Sequence, residues 1–379
     1  MRLHHVRVLG PGGLSMPQTV DVNAEGADDR DATGLVLSPG WMDLHAHLRD
    51  PGFPQKETLL SGATSAAVGG FTHVVAMANT DPVTDRPERL KNLVARSEAL
   101  PIRISFVGAV TMALEGRHLT DAVALKAAGA VALSDDGRHE MDRAMLARAL
   151  EAAAAAGLPV LIHAQAEGLG NGPGAEAAAV TDALDALRHI KGARLHVQHV
   201  STRHAVELIR AAKAGGLAVT AEATPHHLTL TSRDAEAMGP HGNVNPPLRT
   251  PDDRDALRQA LIEGVIDVIA TDHAPHDQAA KEAGANGFHG FETAVSVVLG
   301  LGLTDRVVYR ACVSRPREIA GQSLEEEWIL IDPNAEWTVD ASSFRSRGKN
   351  TPFQGRLRGH VVMTVCRGQV VTERLMQHA

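Results

Sequence analysis

The strongest constraint on the fold is an alternation that runs through most of the chain. A short apolar run is followed by a Gly, Pro or Asp and then by an Ala- and Leu-rich amphipathic stretch. Eight runs read as strands, at 36–44, 71–77, 102–109, 130–135, 159–163, 194–199, 217–222 and 266–271. Helical periodicity predicts helices over 57–69, 86–99, 119–128, 140–156, 175–191, 203–214 and 252–263, with 291–302 and 305–320 after the last strand. Eight parallel strands joined by crossover helices make an α/β fold of the TIM type, a (β/α)8 barrel. The two ends alternate in strand fashion instead (RLHHVRVL, TVDVN, EWTVDA, HVVMTVCRGQVVTE). Residues 1–35 and 328–379 are therefore assigned to one small β-domain, and 36–327 to the barrel. The Gly-rich stretch Glu167 to Gly174 is the expected mobile loop.

Composition narrows the class. With 379 residues, 44% of them hydrophobic, the chain can bury a large core and reads as globular. A net charge of −8 supplies no basic footprint, so nucleic acid is not an expected partner. Two cysteines, Cys312 and Cys366, are too few for a disulfide framework or a thiolate zinc site, and point to a reducing cytoplasm. The start MRLHHVRVLG lacks a signal-like apolar segment, and no apolar run approaches the roughly 20 residues of a membrane span, so no membrane association is expected. Histidine stands out, with 20 copies against 7 Phe, 3 Trp and 1 Tyr. That surplus directs the search toward metal chemistry.

Asp43-Leu44-His45-Ala46-His47-Leu48-Arg49 closes the first strand-like run. Side chains at i and i+2 leave the same face of a strand, so His45 and His47 can grip one ion. Asp43 and Arg49 share that parity and offer an orienting carboxylate and an anion-binding guanidinium. Enzymes of this fold place their chemistry at the carboxyl ends of the strands. His45 and His47 end strand one, Asn79 follows strand two, Asp135 and Asp136 end strand four, His163 ends strand five, His199 strand six and Asp272 strand eight. Singly, His163 or His199 reads as a satisfied core imidazole; their joint placement on one rim favours ligation. His226 and His227 end strand seven but are surplus to the ligand count and read as supporting or structural. His4, His5, His118 and His378 lie off the rim and read as solvated.

Imidazoles and carboxylates without thiolate suit Zn2+, whereas calcium or magnesium would call for oxygen donors. Six ligands exceed one tetrahedral site, so two ions are expected, bridged by Asp136. His45, His47 and Asp272 would hold one ion and His163 and His199 the other, with an activated hydroxide between them. A one-ion site on the first set stays open.

At this point the residues resemble a known family, the cyclic amidohydrolases, and within it the class I dihydroorotases. PGWMDLHAHLRDPG, MANTDPV, LSDDG, HVQHVST, TAEATPHHL, NVNPPLR, IATDHAPH, GFETA and GKNTPF stand in the family's order along nearly the whole chain. The resemblance implies His45, His47, Asp136, His163, His199 and Asp272 as metal ligands, selecting Asp136 over Asp135 by its spacing. It implies His47, Arg49, Asn79, Asn245, His276 and Gly287 as substrate contacts, and Asp272 as general acid/base. It further implies reversible cyclisation of carbamoyl-aspartate to dihydroorotate in pyrimidine biosynthesis, a homodimer, and association with an aspartate transcarbamoylase. No lysine stands at the bridging position, where hydantoinases and related members carry a carboxylated one.

A hydantoinase, dihydropyrimidinase or allantoinase activity is the alternative, and a non-catalytic partner of the transcarbamoylase is a third reading. The Arg49 and Asn79 pair separates the first two, because a substrate without a carboxylate would not need it. Dihydroorotate carries a cyclic amide and a free carboxylate. Arg49, Asn79 and His276 are expected to hold the carboxylate while Asp272 moves the proton. Two departures from the family stand out: Ala164-Gln165 with a shortened loop after His163, and Ala285-Asn286-Gly287-Phe288 before GFETA.

Overall fold

The computed structural model describes residues 1–25, 28–138 and 141–373; residue 140 of the expected helix, His378 and the rest of 374–379 lie outside them. One sheet carries eight parallel strands in chain order: β1 (Trp41–Ala46), β2 (Phe71–Ala76), β3 (Arg103–Gly108), β4 (Ala130–Ser134), β5 (Val160–Ile162), β6 (Leu195–Val197), β7 (Val219–Ala223) and β8 (Val268–Ile269). The segment after β8 returns to β1 through a parallel bridge between Ala46 and His273, with the His47 amide donating to the His273 carbonyl at 2.8 Å. The sheet thus wraps into the (β/α)8 barrel. Helices start where the sequence supplies caps: the Thr202 side chain accepts from the Ala205 amide, and Thr250 with Asp253 forms a capping box. A buried apolar layer, including Val74, Ile102, Phe106, Val160, Val197, Ile209 and Leu261, joins strands to helices.

The chain ends form a second sheet. Arg2–Gly10 pairs in parallel with Val36–Pro39, which pairs antiparallel with Trp328–Thr338, then Arg356–Cys366 and Gln369–Glu373. The run read as one strand over 36–44 is therefore two, split at Gly40. A Cβ at Gly40 would stand 2.0 Å from Thr72 Oγ1, so only glycine lets the chain pass this close as it leaves the end sheet for the barrel. The helix expected over 305–320 also divides, into Asp305–Tyr309, a π-helical turn over Arg310–Ser314, and Arg315–Ala320. Pro316 has no N–H to give an i−4 carbonyl, which accounts for the wider turn before it. Two short helices, Ser232–Met238 and Gln278–Glu282, were not expected. No helix among the described residues is long and apolar enough to cross a membrane.

Candidate metal centre and substrate cleft

The rim at the carboxyl ends of the strands collects the side chains expected as metal donors. His45 lies in β1 and His47 just beyond it; Asp136, His163, His199 and Asp272 follow β4, β5, β6 and β8. Arg49, His199 and Asp272 adopt positive φ values of 58°, 31° and 47°, which non-glycine residues rarely do. Backbone strain at three such residues is held by the closure around them and points to a functional demand on their side-chain directions.

Two donor groups share Asp136. In the first, His47 Nε2 lies 3.1 Å from Asp272 Oδ1 and 3.2 Å from Asp136 Oδ2, and His45 Nε2 lies 3.5 Å from each of these oxygens. A tetrahedron of ligands at about 2 Å from a central zinc has edges of roughly 3.3 Å. The His45, His47 and Asp136 donors therefore suit a cation among them, with Asp272 Oδ1 against both imidazoles as a further donor. In the second group, Asp136 Oδ1 is 3.5 Å from His163 Nδ1 and from His199 Nε2, while the two imidazole nitrogens are 2.8 Å apart. Asp136 Oδ1 is buried and has no hydrogen-bond partner among the described residues, a state that costs free energy unless a cation answers it. Three donors leave an open position, as a catalytic site requires.

Supporting groups fix which nitrogen each imidazole presents. His45 Nδ1 donates to Glu222 Oε1 at 2.6 Å, and Glu222 Oε2 accepts from His196 Nε2 at 3.0 Å, all three side chains being fully buried. His45 Nε2 is thereby turned to the carboxylates. His47 Nδ1 donates to Asn79 Oδ1 at 2.9 Å, and His163 Nε2 to Gln165 Oε1 at 3.1 Å. Burial works to raise the Asp136 carboxyl, but His45 above all, with His163 and His199, outweighs it and holds Asp136 well below the usual carboxylate range. Asp272 follows the same logic: burial opposes ionisation, and His45 and His47 keep it ionised.

Beside the donors lies a cleft of about 250 Å³ lined by His47, Arg49, Asn79, Asn245, His276 and Gly287 among others. Arg49 Nε, Asn245 Oδ1 and His276 Nδ1 are buried without partners among the described residues, so three cleft-lining side chains hold unspent hydrogen-bonding capacity. His276 Nε2 donates to the Asn286 carbonyl at 2.8 Å, which leaves Nδ1 as an acceptor. Burial and the nearby Arg49 lower its pKa to about 3, so the ring is neutral. Gly287 has φ of 131°, and a Cβ there would sit 2.6 Å from the Ala274 Cβ. A larger, mostly apolar cavity of about 390 Å³ between the end sheet and the helix Phe291–Gly300 lacks such convergent groups.

Known proteins resemble this chain along most of its length. A family described as dihydro-orotase-like matches residues 34–219. The dihydroorotase of Anaeromyxobacter dehalogenans is 43% identical over 90% of this chain and 88% of its own length. That of Thermus aquaticus is 41% identical over 91% and 90%. This chain belongs to the dihydroorotase family. Among solved structures, the L-hydantoinase (dihydropyrimidinase) from Arthrobacter aurescens superposes with a TM-score of 0.89 at 25% identity, covering 99% of this chain and 96% of that one. A dihydropyrimidinase from Brevibacillus agri, at 22% identity and a TM-score of 0.83 over 98% and 95%, shares the fold.

For this dihydroorotase-family chain the structure sorts the neighbouring carboxylates as well. Asp43 accepts from the Thr271 amide at 3.0 Å, from Thr271 Oγ1 at 2.5 Å and from the His45 amide at 3.2 Å. Burial pushes its carboxyl up to about 7. Asp135 accepts from the Val110 and Thr111 amides at 2.7 and 3.0 Å. Both brace the rim from outside the donor set. His227 is held by Thr224 and the Pro246 carbonyl, again as a structural group.

Sequence reasoning passed over Glu222, Gln198 and Asn350. The Gln198 amide lies 3.2 Å from His45 Nδ1. Asn350 Oδ1 accepts from the His276 amide at 2.8 Å while its Nδ2 donates to the Gly287 carbonyl at 2.9 Å. Each sits inside a motif quoted for the family (TAEATPHHL, HVQHVST, GKNTPF), which was the signal available.

Proposed function

We propose that the chain catalyses the reversible ring closure of N-carbamoyl-L-aspartate to L-dihydroorotate. His45, His47, Asp136 and Asp272 would hold one zinc ion, and Asp136, His163 and His199 a second. When bound, such ions polarise the carbonyl under attack and bring the pKa of water to about 7. The observation that carries the reading is the pair of buried imidazole and carboxylate donor groups sharing Asp136, beside the Arg49 guanidinium in one cleft.

The chain's own groups divide the remaining work. In ring opening the amide C–N bond breaks. Asp272, ionised because His45 and His47 stabilise its charge, accepts the proton of the attacking water and returns it to the departing ring nitrogen. In ring closure it takes the proton from the attacking carbamoyl nitrogen and delivers it to the departing oxygen. Arg49, half-buried with its Nε shielded from solvent, offers a fork of donors to the substrate carboxylate, and that shielding strengthens the attraction. Asn79, already fixed by His47 Nδ1 and by donating to the Asp136 carbonyl at 3.3 Å, orients the same end of the substrate. His276 departs from the sequence expectation of a carboxylate donor. Its free Nδ1 is an acceptor, suited to a substrate N–H.

The alternative substrates, hydantoin and allantoin, have no carboxylate to answer Arg49. Metal analysis combined with ring-opening assays on dihydroorotate, hydantoin and allantoin tests the reading. Dihydroorotate turnover with bound zinc is the expected result. A cation-free protein, or turnover of hydantoin at the expense of dihydroorotate, would overturn it.

A further inference from the structure

Lys281 lies in the short helix Gln278–Glu282 behind the cleft, and at 1% exposure it is among the most deeply buried large side chains of the molecule. Lysine is almost never fully buried unless something answers its charge. Here three main-chain carbonyls do so. Nζ donates to Asn243 at 2.7 Å, Ala285 at 2.9 Å and Gly287 at 3.1 Å, which uses all three of its protons. It also stands 5.0 Å from the centroid of the Phe288 ring, within cation–π range. No carboxylate among the described residues offsets its burial, which draws its pKa down to about 8.

The three carbonyls belong to two segments that reach the cleft separately. One leads from Asn243 into Asn245, whose amide donates to Gln165 Oε1 at 2.8 Å beside His163. The other, 285–288, presents Asn286 and Gly287 to the cleft and supplies the carbonyl that fixes the His276 ring. Among the described residues, the main-chain link directly between them is the Gly287 amide donating to the Asn243 carbonyl at 3.1 Å, and that same carbonyl accepts from Lys281.

We propose that Lys281 is a positioning residue for substrate binding: its buried ammonium clamps the two loops that carry Asn245 and Gly287 and so sets their grip on the substrate. A neutral side chain of the same length would take a donor from all three carbonyls, leaving that of Ala285 with none among the described residues and those of Asn243 and Gly287 with only the Gly287 and Asn350 amides, so the hold between the loops would weaken. A shift of about 1 Å in a positioning group is enough for a hundredfold loss. The clamp touches no metal donor, so its loss should weaken substrate binding and spare metal binding. The inference rests on the assignment of this cleft as the substrate site.

The test compares Lys281→Met with the wild-type enzyme, both loaded with zinc. Expected are full metal content, a KM for dihydroorotate raised about tenfold or more, and kcat changed much less. Faster amide hydrogen exchange is expected at Gly287, without change in the barrel strands. An unchanged KM with unchanged Gly287 exchange overturns the proposal, as does loss of metal or an equal fall in kcat. Should Lys281→Met not fold, Lys281→Arg, which keeps a cation, is compared with Lys281→Gln; equal KM values in the two overturn it. A wild-type enzyme inert toward dihydroorotate would sink the functional reading instead, and the exchange comparison would still decide whether Lys281 joins the loops.

Discussion

Asp136 and Asp272 are both buried carboxylates among imidazoles, yet the geometry gives them different work. Asp136 turns one oxygen to each donor group, 3.2 Å from His47 on one side and 3.5 Å from His199 on the other, so it is committed to binding. Asp272 meets the imidazoles through Oδ1 alone and lines the cleft, which leaves it able to exchange a proton with substrate. Asp272→Asn keeps the shape and removes the base. Turnover in both directions should fall by about a thousandfold or more, measured as ring opening and ring closure on the same preparation. Near-normal turnover would mean that another group moves the proton. Arg49→Ala should raise KM on the order of ten- to a hundredfold, as expected for loss of a charge-assisted hydrogen bond, with metal content unchanged. Loss of metal would give Arg49 a structural role. The ligand residues were legible in the sequence because lying at the end of an apolar run is a one-dimensional property. Glu222 was not: its partner His45 is 177 positions away, and nothing along the chain shows that β7 turns this side chain into the barrel toward β1.

Between elements, the decisive contact closes the barrel. β8 is only two residues long, and beyond it the Ala46–His273 bridge to β1 is reinforced by Asp43, which ties the Thr271 amide and hydroxyl to the strand that carries His45. Replacing Asp43 by Ala strands these donors in a buried setting and should cost roughly 2–4 kcal/mol, read from the midpoint of chemical unfolding. Asp43→Asn, which keeps an acceptor oxygen, should cost less. Equal stability of Asp43→Ala and wild type would show that the seam holds without it. The alternation of short apolar runs and amphipathic helices made the eight strands and most helices readable. The errors fell where tertiary packing overrides local pattern: the apolar run 36–44 looks continuous, but the approach of Thr72 at Gly40 divides it between two sheets. Helices as short as Gln278–Glu282 carry too few turns to show a period, which is also why Lys281 escaped notice.

At the scale of the whole molecule, the donors come from five of the eight barrel strands and span positions 45 to 272, so a cation held by them ties together most of the barrel. An unfolded chain cannot present that set, and binding free energy therefore adds to folding free energy. Without a cation the site must hold Asp136 with one oxygen unpartnered, beside imidazoles that must take up protons to balance the buried carboxylates. The end sheet cannot compensate, because its apolar cluster of Leu3, Val6, Leu37, Leu330 and Met363 is separate from the rim. Zinc at a thousand times its dissociation constant contributes about 4 kcal/mol. Stripping metal with a chelator should thus lower the unfolding temperature by roughly 5–10 °C and abolish turnover, and added zinc should restore both. Calcium, which prefers oxygen donors, should restore neither. An unfolding temperature indifferent to complete metal removal would show that protein contacts alone fix the rim, and that the cation contributes to chemistry without contributing to the fold.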